Sequence, residues 1–577
     1  MAKAEATVEE LVAMIQRGDL RLPEMQREYV WRSTRVRDLL DSLYRGYPSG
    51  AILLWETDDE VPLRELAVEQ KLSAFQTARL LLDGQQRLTS LSSVLRGEPV
   101  KVRGRTRPIQ ILFNLNHPDS LSIVTEVHEE ADDEEEPDES DSSEDELTAR
   151  FNRMAFVVGT TKLAALPYWV KVSDVLNTDS DAQFLKKAGV KGLDDPDYTK
   201  FSQRLQRLRG IRKYVYRMDV LQRSLSYEEV TEIFVRVNSL GAKLRSSDLA
   251  LAQITAKWRG SLAAFQEFQQ TCAKGGFDLE LGLHLKTLVA MATGQSRFLR
   301  VGTLSRSALE DAWAKAKKGI EFALNFLRSN VRIDSPALLS SPFLIVTIAF
   351  LANERKFTIS AIESEALRRW TLLANAKGRY SRGSSETLLD QDLASIRAGQ
   401  GIQALVDRLR QQVGRLDVTP AELEGRNARS AVFKTMFLAF RAKGAKDWKS
   451  NLAISLTHAG HQHQLEFHHI FPRAVLKQHD IELQRDDIAN LAFISSQTNK
   501  VISDRPPAQY VPALIKAIGV DAFRNQAIPA TDASLLVIGA FPEFLKKRRA
   551  MIADMLNEFL GHTDQKDNVQ HVAGKLP

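Results

Sequence analysis

The chain reads as an α+β protein of several domains, and three features predict it. Its 577 residues exceed what one hydrophobic core organises, so two to four units are expected. Short β-type runs ending in turn residues stand near both ends, at Ala51–Trp55, Ala78–Leu82 and Leu491–Ile494, whereas residues 200 to 380 repeat their apolar side chains at helical spacing. Apolar residues make up 44% and charged residues 26%, an ordinary globular composition that supplies buried cores and excludes global disorder.

Taken in order, residues 6 to 17 form an amphipathic helix that Arg21-Leu22-Pro23 breaks into an extended segment. Residues 33 to 45 carry Val36, Leu39, Leu40 and Leu43 on one helical face, stopped by Gly46 and Pro48. Ala51–Trp55 is a buried strand, and Ala78–Leu82 is another that runs through Asp83-Gly84 into a helix over Gln86–Leu95. Residues 126–146 hold 14 acidic side chains and no Lys or Arg, which predicts a disordered insertion within a domain. The helical stretch from 200 to 380 predicts a bundle that links the two ends. The pattern weakens at 415 to 425, which divides the chain into 1–255, a helical region 256–414 and a C-terminal domain 415–577.

Charge and cysteine usage narrow the function classes. Without the acidic tract, 78 basic face 59 acidic side chains, a net of +19 where the whole chain carries +5. Such an excess suits a polyanionic partner, although a solvated basic surface would look the same. The only cysteine, Cys272, excludes an intrachain disulfide and a cysteine-based zinc cluster. The N-terminus lacks the apolar core of a secretory signal, and the longest apolar run, Phe343–Ala352, is far short of the roughly 20 residues needed to span a bilayer. A cytoplasmic protein with no membrane partner is expected.

Near the C-terminus, Glu466-Phe-His468-His469-Ile-Phe-Pro472 places two histidines at the end of a short strand. Asn490 precedes the strand Leu491–Ile494, and Asn499 follows on a helix. Adjacent strand residues face opposite ways, so both histidines serve one site only if the strand ends and turns there, as Pro472 provides. The bland alternative is a satisfied histidine pair beside two turn asparagines. Histidine then asparagine then asparagine, across strand, strand and helix, resembles the HNH or ββα-metal nuclease fold. That resemblance implies His469 as general base, Asn490 as the residue that orients its ring, and His468 and Asn499 as ligands of a divalent metal, Mg²⁺ or Mn²⁺. An imidazole of pKa about 6.5 suits proton abstraction from water. Lys500 and Arg505 are near enough in sequence to contact DNA phosphate. His458, His461 and His463 have loose ligand spacing and read as a loop.

Three further motifs lie in the first half: Pro23-Glu-Met-Gln26-Arg27-Glu-Tyr-Val-Trp31, Asp83-Gly84-Gln85-Gln86-Arg87, and Phe234-Val-Arg236-Val-Asn238 with Gly241 and Asp248. Together they resemble the N-terminal domain of GmrSD-type modification-dependent restriction enzymes, which is related to the ParB and sulfiredoxin fold. The resemblance covers roughly 8 to 255, and the nuclease resemblance about 420 to 560. At a strand-to-helix turn, Asp-Gly-Gln-Gln-Arg exposes backbone amides at the positive end of a helix, a seat for phosphate. Arg27 and Arg87 would grip phosphate oxygens and Asp83 would hold magnesium, while Gln26, Gln86 and Asn238 would orient water or base edges. The structural alternative has Asp83 capping a helix and the arginines making ion pairs. No GxxxxGK[ST] motif occurs, so a P-loop NTPase is excluded.

The resemblances imply a modification-dependent, type IV restriction endonuclease acting in defence on modified phage DNA. Nucleoside triphosphate would be bound or hydrolysed by the first domain, with Gly84, Gln85 and Arg236 among its binding residues. Two rivals stand beside it: an HNH nuclease or nickase acting on unmodified DNA, and a ParB-like nucleotide-dependent DNA-binding switch. A homo-oligomer is left open.

Overall fold

The computed structural model describes residues 2–26, 31–58, 60–64, 66, 79–98, 109–118, 151–240, 245–456, 465–481 and 484–561, with the backbone alone at 238–240. Arg27, Gly241, the acidic tract 126–146 and His458, His461 and His463 lie outside the described residues, as does the side chain of Asn238. The chain divides into two compact units, Met1–Leu262 and Ala263–Pro577.

The first unit contains β1 (Ala2–Thr7), β2 (Leu20–Pro23), β3 (Ile52–Glu56), β4 (Leu63–Arg64), β5 (Arg79–Asp83), β6 (Ile111–Asn114), β7 (Phe156–Val158), β8 (Trp169–Lys171) and β9 (Val215–Leu221). Six of them form a mixed sheet in the order β1-β9-β3-β5-β2-β4, and three form a second sheet, β7-β6-β8. Strand alternation explains the layers of the larger sheet. Ile52, Leu54 and Leu81 join one core with helices α1 (Val8–Arg17), α2 (Ser33–Arg45) and α3 (Gln85–Arg96). Leu53, Trp55, Leu80 and Leu82 point to the other face and pack with Met25 and the helices Tyr227–Leu240 and Ser246–Lys257. Both faces are therefore covered, which is why AILLW and RLLL read as continuous apolar runs.

The expected strand, turn and helix at β5 and α3 are present, as are α1 and α2. Thr7 opens α1 with a capping box: its hydroxyl accepts Glu10 N at 3.2 Å, and the Glu10 carboxylate accepts Thr7 N at 2.7 Å. β1 was not legible in the sequence. Its AKAEAT pairs antiparallel with β9, Ala2 against Val220 through Thr7 against Val215, as a largely exposed edge without an apolar run.

In the second unit, the helices Leu281–Thr293, Arg306–Phe326 and Phe343–Glu354 pack together. Nine residues of Phe343–Glu354 are buried, so the longest apolar run is a core helix. No helix among the described residues is long and apolar enough to cross a membrane. The stretches 256–414 and 415–577 meet within this unit. Asn375 Nδ2 donates to Thr435 Oγ1 at 3.3 Å, and Lys377 Nζ to Glu422 Oε2 at 2.7 Å. The weak pattern near 415–425 is therefore a connection inside one unit. Beyond it, β10 (Leu465–His469) and β11 (Leu491–Ser495) pair antiparallel, and β11 runs directly into the helix Ser496–Ile502.

Candidate functional site

The strand–strand–helix unit is built from the inside. Phe493 of β11 packs against Phe433, Phe437 and Phe440 of the helix Ala431–Ala442, and Gln526 returns two hydrogen bonds to its backbone at 2.8 and 2.9 Å. Asp447 fastens the turn between β11 and its helix. Its carboxylate accepts Ser495 N at 2.7 Å, Thr498 Oγ1 at 2.8 Å, and Ser450 through both N and Oγ. Burial pushes Asp447 up, but these donors overcome it and hold the carboxyl at about 2. Arg548, wholly buried, donates to Ala489 O and Leu491 O at 2.8 Å on either side of Asn490, and burial pulls its guanidinium down to about 9.

On this frame β10 presents its histidines to opposite faces. His468 is buried with Nδ1 2.7 Å from Asn499 Oδ1 and Nε2 3.3 Å from the Tyr510 hydroxyl. That hydroxyl donates to Ile470 O at 3.0 Å. Glu466, two residues earlier and so on the same face, accepts Asn499 Nδ2 at 2.5 Å. Burial pushes the His468 imidazole down to about 4, so it is neutral near pH 7.

With the ring hydrogen on Nδ1, His468 donates to Asn499 Oδ1 and Asn499 Nδ2 donates to Glu466, so the contacts around Asn499 close in that tautomer. Tyr510 gives its proton to Ile470, leaving only a lone pair for His468, whose neutral ring has one N–H. With that hydrogen on Nε2 toward Tyr510, the Nδ1 lone pair meets the Asn499 carbonyl oxygen beside the Glu466 carboxylate. Turning the Asn499 amide over would set its oxygen against Glu466 instead. In that second tautomer an imidazole nitrogen, an amide oxygen and a carboxylate stand together, a donor set that would suit a divalent cation of the Mg²⁺ or Mn²⁺ kind. Among the described residues no three His, Cys, Asp or Glu side chains cluster as a metal site; here two such groups are completed by an amide.

His469 turns to the other side, partly exposed, with Nε2 3.0 Å from Asp486 Oδ1. Burial, and then the neighbouring Arg473 charge, lower its pKa below the ordinary histidine value. Asn490 does not touch this ring. Fully buried, it accepts Phe471 N at 2.9 Å and donates to Phe471 O at 3.0 Å and Arg485 O at 2.8 Å. It thus ties the chain after His469 to the chain before Asp486, and the expected orientation of the ring by Asn490 gives way to a backbone staple. Lys500 is exposed, while Arg505 donates to Val501 O and Ile502 O at the end of the preceding helix, Ser496–Ile502. Glu466 was within reach of sequence reasoning through strand alternation. Asp486, Tyr510 and Asp447 carry no sequence signal of their own.

At the N-terminal motifs, Gln26 is buried and donates to Leu82 O at 2.5 Å, and Gln86 Oε1 accepts Trp31 N at 3.2 Å. The β5–α3 turn therefore gathers Gln26, Asp83, Gly84, Gln85, Gln86 and Arg87. Gly84 lies at φ +99°, and a Cβ there would run into Ile52 Cδ1. Arg87 differs from its expected role. Its guanidinium donates to Ser49 O, to Ala51 O at 2.7 Å and to Asp83 Oδ2 at 3.1 Å, clamping the chain around Gly50. Arg236 is well exposed and pairs with Glu232 one turn away at 2.7 Å.

Residues 8–255 match the family described as GmrSD restriction endonuclease, N-terminal domain. Along nearly its full length the chain is also similar to an uncharacterized protein of Methanocaldococcus jannaschii, 23% identical over 607 residues that cover 97% of this chain and 94% of that protein.

Proposed function

We propose that the chain is a restriction-type DNA endonuclease in which the strand–strand–helix unit at 465–502 hydrolyses phosphodiester bonds and the first unit governs it. The observation that carries this reading is the convergence of Glu466, His468 and Asn499 beside His469, the last residue of β10, where the strand ends and the chain turns. His469, neutral at physiological pH, accepts a proton from water; the oxygen bonds to phosphorus and the 3′ oxygen leaves. A divalent cation held by Glu466, His468 and Asn499 would stabilise the negative charge that develops on the phosphoryl and leaving oxygens. Lys500 and the exposed Arg473 would meet flanking phosphates.

For the first unit we infer nucleotide binding at the β5–α3 turn. Because Arg87 is committed to backbone carbonyls, the phosphate seat is assigned to the N-terminal end of α3, where Gly84 leads into the helix. Asp83 keeps an exposed carboxylate for magnesium. Dependence on DNA modification belongs to the same proposal, and the likeness of residues 8–255 to the N-terminal domain of a restriction endonuclease supports it. The test compares cleavage of matched modified and unmodified phage DNA by the full chain, with and without Mg²⁺ and each nucleoside triphosphate. Metal-dependent cleavage, selective for modified DNA and altered by nucleotide, is expected; no cleavage under any condition would overturn the nuclease reading.

A further inference from the structure

Asp486 lies between the two strands of the nuclease unit, in a stretch pinned on both sides of it. Asn490 holds the carbonyl of Arg485 at 2.8 Å, and Asp487 accepts Arg549 at 2.7 Å and Gly425 N at 2.8 Å. Asp486 itself stays 44% exposed, so no core packing requires a carboxylate at that position. Its Oδ1 meets His469 Nε2 at 3.0 Å, and Arg473 donates to the same oxygen at 2.7 Å, which keeps the carboxylate from swinging into solvent.

We propose that Asp486 is the positioning residue of His469: its carboxylate keeps the ring hydrogen on Nε2 and the ring plane fixed, so that Nδ1 presents the lone pair to water. A carboxylate only accepts, so the contact specifies which nitrogen carries the hydrogen. With the hydrogen on Nδ1 instead, the lone pair would face Asp486 and the ring would have no base to offer. An exposed ion pair contributes little to stability, so the role of Asp486 is separable from folding.

The inference rests on the nuclease reading, and one set of variants separates the two. The full-length wild type, His469→Ala, Asp486→Ala and Asp486→Asn are assayed on a DNA duplex with Mg²⁺ or Mn²⁺, and thermal melts are recorded alongside. Asp486→Ala should lower kcat about 10- to 100-fold while KM stays within about twofold, the scale seen when a histidine loses its orienting partner. Asp486→Asn, whose amide oxygen can still accept the Nε2 hydrogen, should recover much of that loss. The proposal is overturned if Asp486→Ala keeps the wild-type kcat, if the loss falls on KM, if the asparagine variant is no better than alanine, or if both variants melt far below wild type. Should the wild type fail to cleave, or His469→Ala cleave normally, the nuclease reading fails and this proposal with it.

Discussion

Asn490 and His469 make opposite predictions at the scale of single residues, because one is a buried staple and the other a partly exposed imidazole assigned as the base. Replacing His469 by alanine removes a base without opening a core, so metal-dependent cleavage should vanish while the melting temperature and DNA affinity stay near wild type. Undiminished cleavage would rule out its role. Asn490→Ala instead strands the N–H and C=O of Phe471 and the carbonyl of Arg485 in the interior. Each buried orphan costs about 1–3 kcal/mol, so a clear drop in the urea midpoint is expected, with activity lost in step with stability. An Asn490→Ala protein of normal stability and no activity would return that residue to a direct part in the chemistry. The histidine and asparagine positions were legible because a strand-end pair, a turn proline and ordered spacing stand in the sequence. What Asn490 touches was not, since an amide bonds a ring or a backbone equally well and only the path of residues 471 and 485 decides between them.

At the scale of elements, the helix Leu281–Thr293 carries a buried histidine that the proposed chemistry does not use. His284 sits edge-on to Phe268 and Trp313, and burial pushes its imidazole down to about 4. Since the unfolded chain binds that proton near the ordinary value of about 6.5, the unfolded state gains protons first on acidification. Stability from this group is complete above pH 6.5 and declines as pH falls toward 4, by up to roughly 3 kcal/mol. Urea midpoints at pH 7.5 and pH 5 measure the decline, and His284→Leu, apolar and nearly as large, should flatten it relative to wild type. Equal pH slopes in the two proteins would remove His284 as a source. Helices and doubly covered strands were legible in the sequence because burial writes their period into it. β1 was not, because a polar edge strand takes its order from the backbone of β9 and not from its own side chains.

At the scale of the whole molecule, charge is the property that sequence alone carries best, since it sums over residues without regard to their partners. The tract 126–146 holds 14 carboxylates, and the remainder of the chain carries +19. Association with DNA phosphate gains from release of condensed counterions, and that gain falls as salt rises. A local concentration of negative charge opposes it most at low ionic strength, where the Debye length is longest. Deleting residues 129–146 should therefore tighten nonspecific duplex binding at about 50 mM salt and matter progressively less toward 300 mM. A tract that competes with phosphate for the basic surface predicts converging isotherms as salt increases. If the full-length and deleted proteins bind alike at every salt concentration, the tract is only solvated charge, and the excess of basic residues meets DNA unopposed.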